Sequence, residues 1–344
     1  MAVATNTSLT FSSSKIREEV SDVIYNIAPM DTPFHKFVIL HSTRFTPFLS
    51  GCSKTSVDNV YFQWQTDTIG AGAANRKIEG DDNIAANARV NPTLLGNRTQ
   101  ISQYVNQTSG TDQVMDYAGH GRQQAYQIAK NGKRMKRDME FMLTNNVAQV
   151  AGDATTARVS AGIPAWLNSN HTDGGTGGSP SAGSLGTTAM VNAAGRAAIT
   201  EANIKVVIKQ CYDSGGNPDL ILCPSNIKQA ISGLSSNAGP GYPLRVAAST
   251  SGQATAVNAV DVYVSDFGTF RIVPDRNLAT DAPGPSAGNV FFLDMDYWSV
   301  AWLRPFQTID LAKTGDSIKQ LLLAEFGLIS KNEKSSGILA TVQA

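Results

Sequence analysis

The stretch from Asp112 to Gln149 constrains this chain more than any other. Small or apolar residues recur along it in steps of three or four, which is the spacing of one helical face. These residues are Val114, Ala118, Gly121, Ala125, Ile128, Gly132, Met135, Met139, Met142 and Val147. Proline is absent from the stretch, Thr111 or Asp112 can cap its start, and Gly152 can end it. The pattern therefore predicts one helix over residues 112–149.

Such a helix has consequences for the shape of the whole molecule. At 1.5 Å per residue its ~38 residues extend about 57 Å, whereas the whole chain as a compact ball would be only about 50 Å across. We therefore expect an elongated plate with a rod along one edge, whose other parts bury apolar surface against something outside the monomer. This length is the first indication of a subunit built for assembly.

Charge and composition exclude several classes of function. The 344 residues include 28 basic and 28 acidic side chains, so no overall field draws the chain to nucleic acid or to an anionic membrane. Residues 1–14 lack the order of a signal peptide, and no apolar run approaches the ~18 residues of a membrane span. We expect a protein that stays in the cytosol.

Cys52, Cys211 and Cys223 share no metal-site spacing, which indicates buried, reduced thiols.

Residues 57–105 predict an extended two-stranded arm. Its strands are expected at 60–66 and 98–105, and the ~30 residues between them are too many for an ordinary connection in a compact domain. The tip carries both signs of charge, at Arg76, Lys77, Glu79, Asp81 and Asp82. These charges suit contacts with an adjacent subunit, and the alternative is a solvated, flexible loop.

A second domain is expected over residues 197–286. Thr200 can cap a helix with an apolar face, and a short strand at 220–222, another helix and a hairpin around 266–268 follow. The residues of that helix face are Ile204, Val207, Ile208 and Cys211. The last predicted strands are 290–293, 298–303, 306–311 and 319–330, and we expect their sheet to cover the long helix. The second domain is then an insertion.

Nearer the N-terminus, Asp31-Thr32-Pro33 predicts a short helix through Phe34.

Motifs for catalysis or metal binding are not found in the sequence. The four histidines, His35, His41, His120 and His171, fit no ligand spacing, and the glycine-rich segment 174–178 lacks the lysine of a phosphate-binding loop. We assign no catalytic, cofactor-binding or metal-binding residue. An enzyme or small-ligand binder in the second domain, suggested only by its mixed α/β pattern, is a remaining alternative.

A basic cluster lies on the predicted long helix, at Lys130, Lys133, Arg134, Lys136 and Arg137. We favour a solvated face whose charge is partly neutralised by Asp138 and Glu140. The alternative is a weak, salt-dependent contact with nucleic acid.

Seven segments stand out in order along the chain. They are Ser21–Phe34, Trp64–Asp67, Glu79–Asp82, Lys136–Glu140, Leu303–Phe306, Leu311–Asp316 and Lys331–Lys334. Together with the long helix, the arm and the inserted domain, they resemble tailed-bacteriophage major capsid proteins of the Hong Kong 97-like fold. The resemblance covers residues 21–334, with few specific motifs between 152 and 286.

The resemblance implies an α+β capsid fold with five named parts. These are an N-arm (1–55), an E-loop (56–108), a first P-domain part with the spine helix (109–196), an inserted A-domain (197–286) and a second P-domain part (287–344). Some relatives join subunits by a lysine–asparagine isopeptide bond. Lys77 and Asn332 are candidates for such a bond by residue type only.

The resemblance also implies a function. Members assemble as hexamers and pentamers into an icosahedral shell around a double-stranded DNA genome, in the host cytoplasm, and the shell becomes the capsid of the virion. Expected partners are further copies of the chain, scaffold and portal proteins, and packaged DNA in weak contact. No cofactor, membrane, small-molecule substrate or enzymatic activity is implied. The alternative within this fold is the shell of a cellular, encapsulin-like nanocompartment.

Overall fold

The computed structural model describes residues 33–34, 54–70, 72, 74, 76, 79–80, 91–117, 119–234, 246–248, 254–256, 261–278 and 288–343. Its α-helices in these ranges are α1 (Gly110–Val114), α2 (Gln123–Thr144), α3 (Ile163–Trp166), α4 (Glu201–Asp213) and α5 (Ser225–Leu234). None of these helices is long and apolar enough to cross a membrane.

The described residues contain sixteen strands, distributed between Lys54 and Gln343. They are β1 (Lys54–Ser56), β2 (Tyr61–Thr66), β3 (Thr93–Arg98), β4 (Gln100–Ser109), β5 (His171–Asp173), β6 (Ala197–Ala198), β7 (Leu220–Cys223), β8 (Val246–Ala248), β9 (Ala254–Ala256), β10 (Val262–Ser265), β11 (Gly268–Pro274), β12 (Val290–Leu293), β13 (Trp298–Asp310), β14 (Ser317–Ser330), β15 (Gly337–Ala340) and β16 (Val342–Gln343). Short 3₁₀ turns occupy Met295–Tyr297 and Glu333–Ser335.

The predicted single helix over residues 112–149 is wrong. The α2 helix has 22 residues, a length of about 33 Å, and α1 is a separate short turn. Between them Gly119 has a φ of 87°, which lies outside the helical region and suits glycine. Val114, placed in the predicted apolar stripe, is 87% exposed. The apolar period before residue 123 is therefore not a buried face.

The C-terminal end of α2 is set by two asparagines. The Asn145 side chain accepts the backbone N–H of Asn146, and asparagine favours such local bonds over a continuing helix. The Asn146 amide then pairs with both backbone groups of Met190, accepting its N–H at 2.9 Å and donating to its carbonyl at 2.7 Å. This pairing draws the chain into an extended path. The prediction that Gly152 ends the helix is therefore wrong, because the helix ends at Thr144.

A four-stranded sheet in the order β1-β13-β14-β4 covers α2, as predicted for the C-terminal strands. Met135 of α2 packs against Leu322 and Ala324 of β14. The strands predicted at 298–303 and 306–311 form one strand, β13, whose register with β14 shifts on both sides of Arg304. Pro305 lies at this irregularity, because proline cannot donate to a regular ladder.

A six-stranded sheet in the order β10-β11-β7-β12-β15-β5 contains most of the predicted second domain. The elements expected there are present. Thr200 caps α4 by accepting the Asn203 N–H, and the four predicted apolar residues of α4 are its buried ones. The hairpin around residues 266–268 pairs Val262 with Arg271.

The six-stranded sheet also takes strands from outside residues 197–286. β5 precedes this range, and β12 and β15 follow it; β12 lies directly between β7 and β15. All residues of β12 and β15 are buried. The segment 197–286 therefore does not close its own sheet, because chain segments on both sides of the insertion complete it. The division into named domains at 197 and 286 stays a prediction.

Candidate assembly surfaces

The arm begins as a hairpin of β2 and β3, whose register pairs Tyr61 with Arg98 and Thr66 with Thr93. The prediction that residues 98–105 form the second arm strand is wrong. Arg98 ends β3, whereas residues 100–105 belong to β4, which pairs with β14 over its whole length. The alternating pattern of residues 100–105 does indicate a strand, but the pattern alone does not identify its partner.

Aromatic side chains hold the base of the hairpin on the body of the protein. Trp64 donates from Nε1 to the carbonyl of Ser330 at 2.8 Å, and its ring lies 5.2 Å from that of Trp166. Phe62 packs with Ala301 and Ile329. The base of the arm is therefore packed on the body of the same molecule.

The fully buried Asn97 makes four hydrogen bonds at the same base, which we call the polar lock. Its Nδ2 donates to the carbonyl of Leu328 at 2.7 Å and to Oγ of Ser160 at 3.1 Å. Its Oδ1 accepts the N–H groups of Arg98 and Ala161, at 2.8 and 3.0 Å. One side chain thus joins the hairpin, β14 and the loop before α3.

The carboxylate of Glu325 on β14 completes this base. Its side chain is 3% exposed and contacts Arg158 Nη2 at 2.7 Å and Arg304 Nε at 2.8 Å. Oε1 also accepts the hydroxyl of Thr99 at 2.8 Å. A buried carboxylate needs such partners, because taking a lone charge out of water is costly. The hairpin base is consequently fixed to three separate parts of the chain.

Beyond this base the described residues of the arm are exposed. Along β3 the exposed side chains Thr93 and Leu94 give way to the buried Leu95. Arg76 and Glu79, two of the five predicted contact residues, are exposed. Lys77, Asp81 and Asp82 lie outside the described residues. Contacts of these five residues with a neighbouring subunit stay a prediction.

The predicted basic residues lie on the open side of α2. Lys130, Lys133 and Arg134 are exposed and Arg137 is half-buried. At roughly 100° per residue these four positions form one stripe, opposite the buried Met135 and Met139. We call Lys130, Lys133, Arg134 and Arg137 the basic stripe.

The predicted neutralisation of this stripe is wrong for Glu140. Glu140 is fully buried, and its Oε1 accepts the backbone N–H of Phe34 at 2.5 Å. Asp138 accepts a hydrogen bond from the Tyr104 hydroxyl. The Arg134 guanidinium lies over the Tyr104 ring, 4.8 Å from its centre. Burial and the Asp138 carboxylate raise the pKa of Tyr104, so its hydroxyl keeps its proton.

The contact between Glu140 and Phe34 was not found from the sequence. Pro33 and Phe34 are helical as predicted, and the rest of that short helix lies outside the described residues. Phe34 is buried, and its ring meets Trp298 edge-on at 6.4 Å. A glutamate directly after the apolar Met139 was the available signal, since an acidic residue beside a buried position needs a partner.

Among the described residues, no cluster of three or more histidine, cysteine or acidic side chains could hold a metal ion. Cys211 and Cys223 are buried free thiols, as predicted, and burial raises the pKa of each to about 12. Cys52 lies outside the described ranges.

Between α4 and the β10–β11 hairpin there is an open groove, where Glu201 and Lys205 pair with each other at 2.7 Å.

Asp294, which follows β12, is a half-buried carboxyl with a raised pKa. Burial raises its pKa to about 6, with smaller contributions from the nearby carboxylates of Asp296 and Asp219. Its folded pKa exceeds the ordinary value of 3.8 for an aspartic acid, so the folded state holds this proton more tightly than the unfolded chain. Its stabilising contribution is complete below about pH 4 and is lost as pH rises through about 6.

The Asp294→Asn variant is therefore expected to be more stable than the parent at pH 7.5 and equal to it near pH 4. Asparagine keeps the oxygen that accepts the Asp296 N–H but cannot ionise. Thermal unfolding of both proteins at the two pH values measures the effect. Asp58→Asn, at an exposed position, is the control. An equal difference between Asp294→Asn and parent at both pH values would contradict the prediction.

Comparison with known proteins supplies the family. The profile of the SU10 major capsid protein family matches residues 3–343. The major capsid protein of Escherichia phage Phieco32 is 27% identical over 339 residues, covering 90% of this chain and 93% of that protein. These matches extend over both sheets and the arm.

Solved structures supply the fold. The capsid of a native GTA particle superposes with a TM-score of 0.59 at 11% identity, covering 99% of this chain and 100% of that one. A structure from Mycobacterium phage Adephagia gives 0.57 at 12% identity, with 98% and 99% covered. The α+β, Hong Kong 97-like fold predicted from the sequence is thereby confirmed. By its profile match, the chain belongs to the SU10 major capsid protein family.

Proposed function

We propose that this phage major capsid protein assembles as hexamers and pentamers into an icosahedral shell that encloses a double-stranded DNA genome. The family match over residues 3–343 carries the proposal. Its role is structural, and no step of it requires an enzymatic activity. Scaffold and portal proteins are the expected assembly partners, the host cytoplasm is the site of assembly, and the virion capsid is the final location.

The geometry of the arm supports this role. Its base is locked by Asn97 and Trp64 on the body of the same subunit, while its described distal residues are exposed. A shell uses one surface in several near-equivalent settings, which favours a rigid plate with an arm that reaches a neighbour. Arg76, Lys77, Glu79, Asp81 and Asp82 on the arm are the proposed intersubunit contacts. Several modest contacts acting together give a strong container.

Electron microscopy of the expressed full-length chain, alone and with a co-expressed scaffold protein, tests the proposal. We expect closed particles with icosahedral symmetry. Thr66 and Thr93 are paired across the hairpin, so an Asn-Gly turn replacing residues 67–92 closes β2 and β3 directly. This variant should fold with the stability of the parent and form no closed particles. A full-length chain that stays monomeric under all conditions, or an armless variant that still closes shells, would contradict the proposal.

The contents of the particles distinguish a phage shell from the alternative, a cellular nanocompartment. Expression together with the neighbouring genes, followed by mass spectrometry and nuclease digestion, identifies what the shell holds. A phage shell is expected to lack enzyme cargo and to protect DNA when the packaging proteins are present. A stoichiometric co-purifying enzyme without DNA would favour the nanocompartment.

A further inference from the structure

We propose that the basic stripe of α2, formed by Lys130, Lys133, Arg134 and Arg137, is a binding site for the phosphate backbone of duplex DNA. That this DNA is the packaged genome rests on the proposed shell function, whereas binding by free subunits does not.

The stripe is a local excess of positive charge in a chain with equal numbers of acidic and basic residues. No ion pair joins its four side chains to a carboxylate of the described residues. The two acidic residues of α2 are engaged elsewhere, Asp138 with Tyr104 and Glu140 with Phe34. Among the described residues, these four cations therefore have no carboxylate partner, and an external anion can bind them.

The stripe is also held in place. The α2 helix lies on β4 and β14 through Met135, Leu322 and Ala324, which turns the opposite face outward. Arg134 stacks over Tyr104, and the Tyr104 hydroxyl is fixed by Asp138. A guanidinium held by stacking loses less freedom on binding a phosphate than a free one, and its planar fork suits phosphate oxygens.

The size and chemistry of the stripe fit a nucleic-acid backbone. From Lys130 to Arg137 the helix rises about 10 Å, which spans about three phosphates at 3.4 Å per strand along the duplex axis. The residues that precede the stripe on the same face include Gln127, a side chain of the kind that donates to phosphates.

The affinity expected for one subunit is low and depends steeply on salt. Neutralising three or four phosphates gives a slope of about −3 to −4 in log affinity against log salt. Affinity then falls about 40- to 150-fold between 50 and 200 mM salt. Many copies in one shell multiply such weak contacts without a sequence preference.

Fluorescence anisotropy of a labelled 20-base-pair duplex with free, full-length subunits tests the inference. We expect the parent to show this salt slope, and K130Q/K133Q/R134Q/R137Q to lose at least about 30-fold in affinity at 100 mM salt, with a slope near zero. The charge-preserving variant K130R/K133R/R134K/R137K should bind within about threefold of the parent. K205Q/K209Q/K313Q/K319Q removes the same charge from other elements and should bind like the parent. K130Q/K133Q, at two exposed positions, serves if the fourfold variant does not fold.

Several results would overturn the inference. They are equal losses in the stripe variant and the control, parent binding without a salt slope, and preferential competition by poly-glutamate at equal charge, which would indicate an acidic protein partner. A folded stripe variant that no longer forms particles would instead make the stripe a subunit interface. Salt-dependent DNA binding by a parent that forms no particles would contradict the shell function while supporting the stripe.

Discussion

Replacing Arg158 and Arg304 together by methionine is expected to lower the free energy of unfolding by about 3–5 kcal/mol. Both guanidinium groups contact the Glu325 carboxylate, which is 3% exposed. Without them the Thr99 hydroxyl is the one partner left to this carboxylate among the described residues, and an uncompensated buried charge costs more than the pair contributed. Urea denaturation of the full-length subunit, followed by tryptophan fluorescence, measures the loss.

A third substitution separates charge from packing. Adding Glu325→Leu to the double variant removes the stranded carboxylate, so most of the lost stability should return. Lys205→Met with Lys209→Met removes two exposed ion pairs and should cost less than about 1 kcal/mol. Equal stability of the double and triple variants would show that the buried charge is not the cause.

The second large effect is expected from Asn97→Ala, at about 3–5 kcal/mol. The substitution removes the side-chain donor to the carbonyl of Leu328 and the acceptor of the N–H groups of Arg98 and Ala161. The Ser160 hydroxyl keeps the N–H of Leu328 as a partner. Each buried polar group left unsatisfied costs about 1–3 kcal/mol. Because Asn97 ties the hairpin to β14, amide hydrogen exchange in β2 and β3 should also rise, and the yield of closed particles should fall.

Asn91→Ala is the matched control for this prediction. Asn91 is exposed and precedes β3, so its replacement should change stability by less than about 0.5 kcal/mol. If Asn97→Ala unfolds like Asn91→Ala, or if hydrogen exchange rises equally throughout the protein, the polar lock at the arm base is not what holds the hairpin.

Local signals predicted the elements of the second sheet well. The α4 helix has its cap, its buried face and its following strand within a few residues of one another, so short-range patterns contain all the information needed. The long helix failed for the opposite reason. Its apolar period continued through Gly119 and Asn146, where a left-handed residue and a bond to Met190 end the helix. The predicted 57 Å helix is therefore no evidence for assembly, which the family match over residues 3–343 supports independently.

The candidate sites were predicted unequally. The basic stripe follows helical spacing, and its exposure was expected. The base of the arm depends on pairs far apart in sequence, such as Asn97 with Leu328 and Thr99 with Glu325, and no periodicity reports those. The burial of Glu140 was missed because a glutamate within a charged segment resembles a surface residue until its partner, Phe34, is known.

The strand order of the six-stranded sheet has a consequence for synthesis on the ribosome. β15, formed by residues 337–340, lies between β12 and β5, so β5 waits for a neighbour translated about 165 residues later, roughly 10–30 s at ordinary bacterial elongation rates. Until then the edge of β12 is open and the core beneath it is incomplete. A nascent chain therefore cannot complete the six-stranded sheet, and we expect self-association to be delayed until translation has passed Ala340.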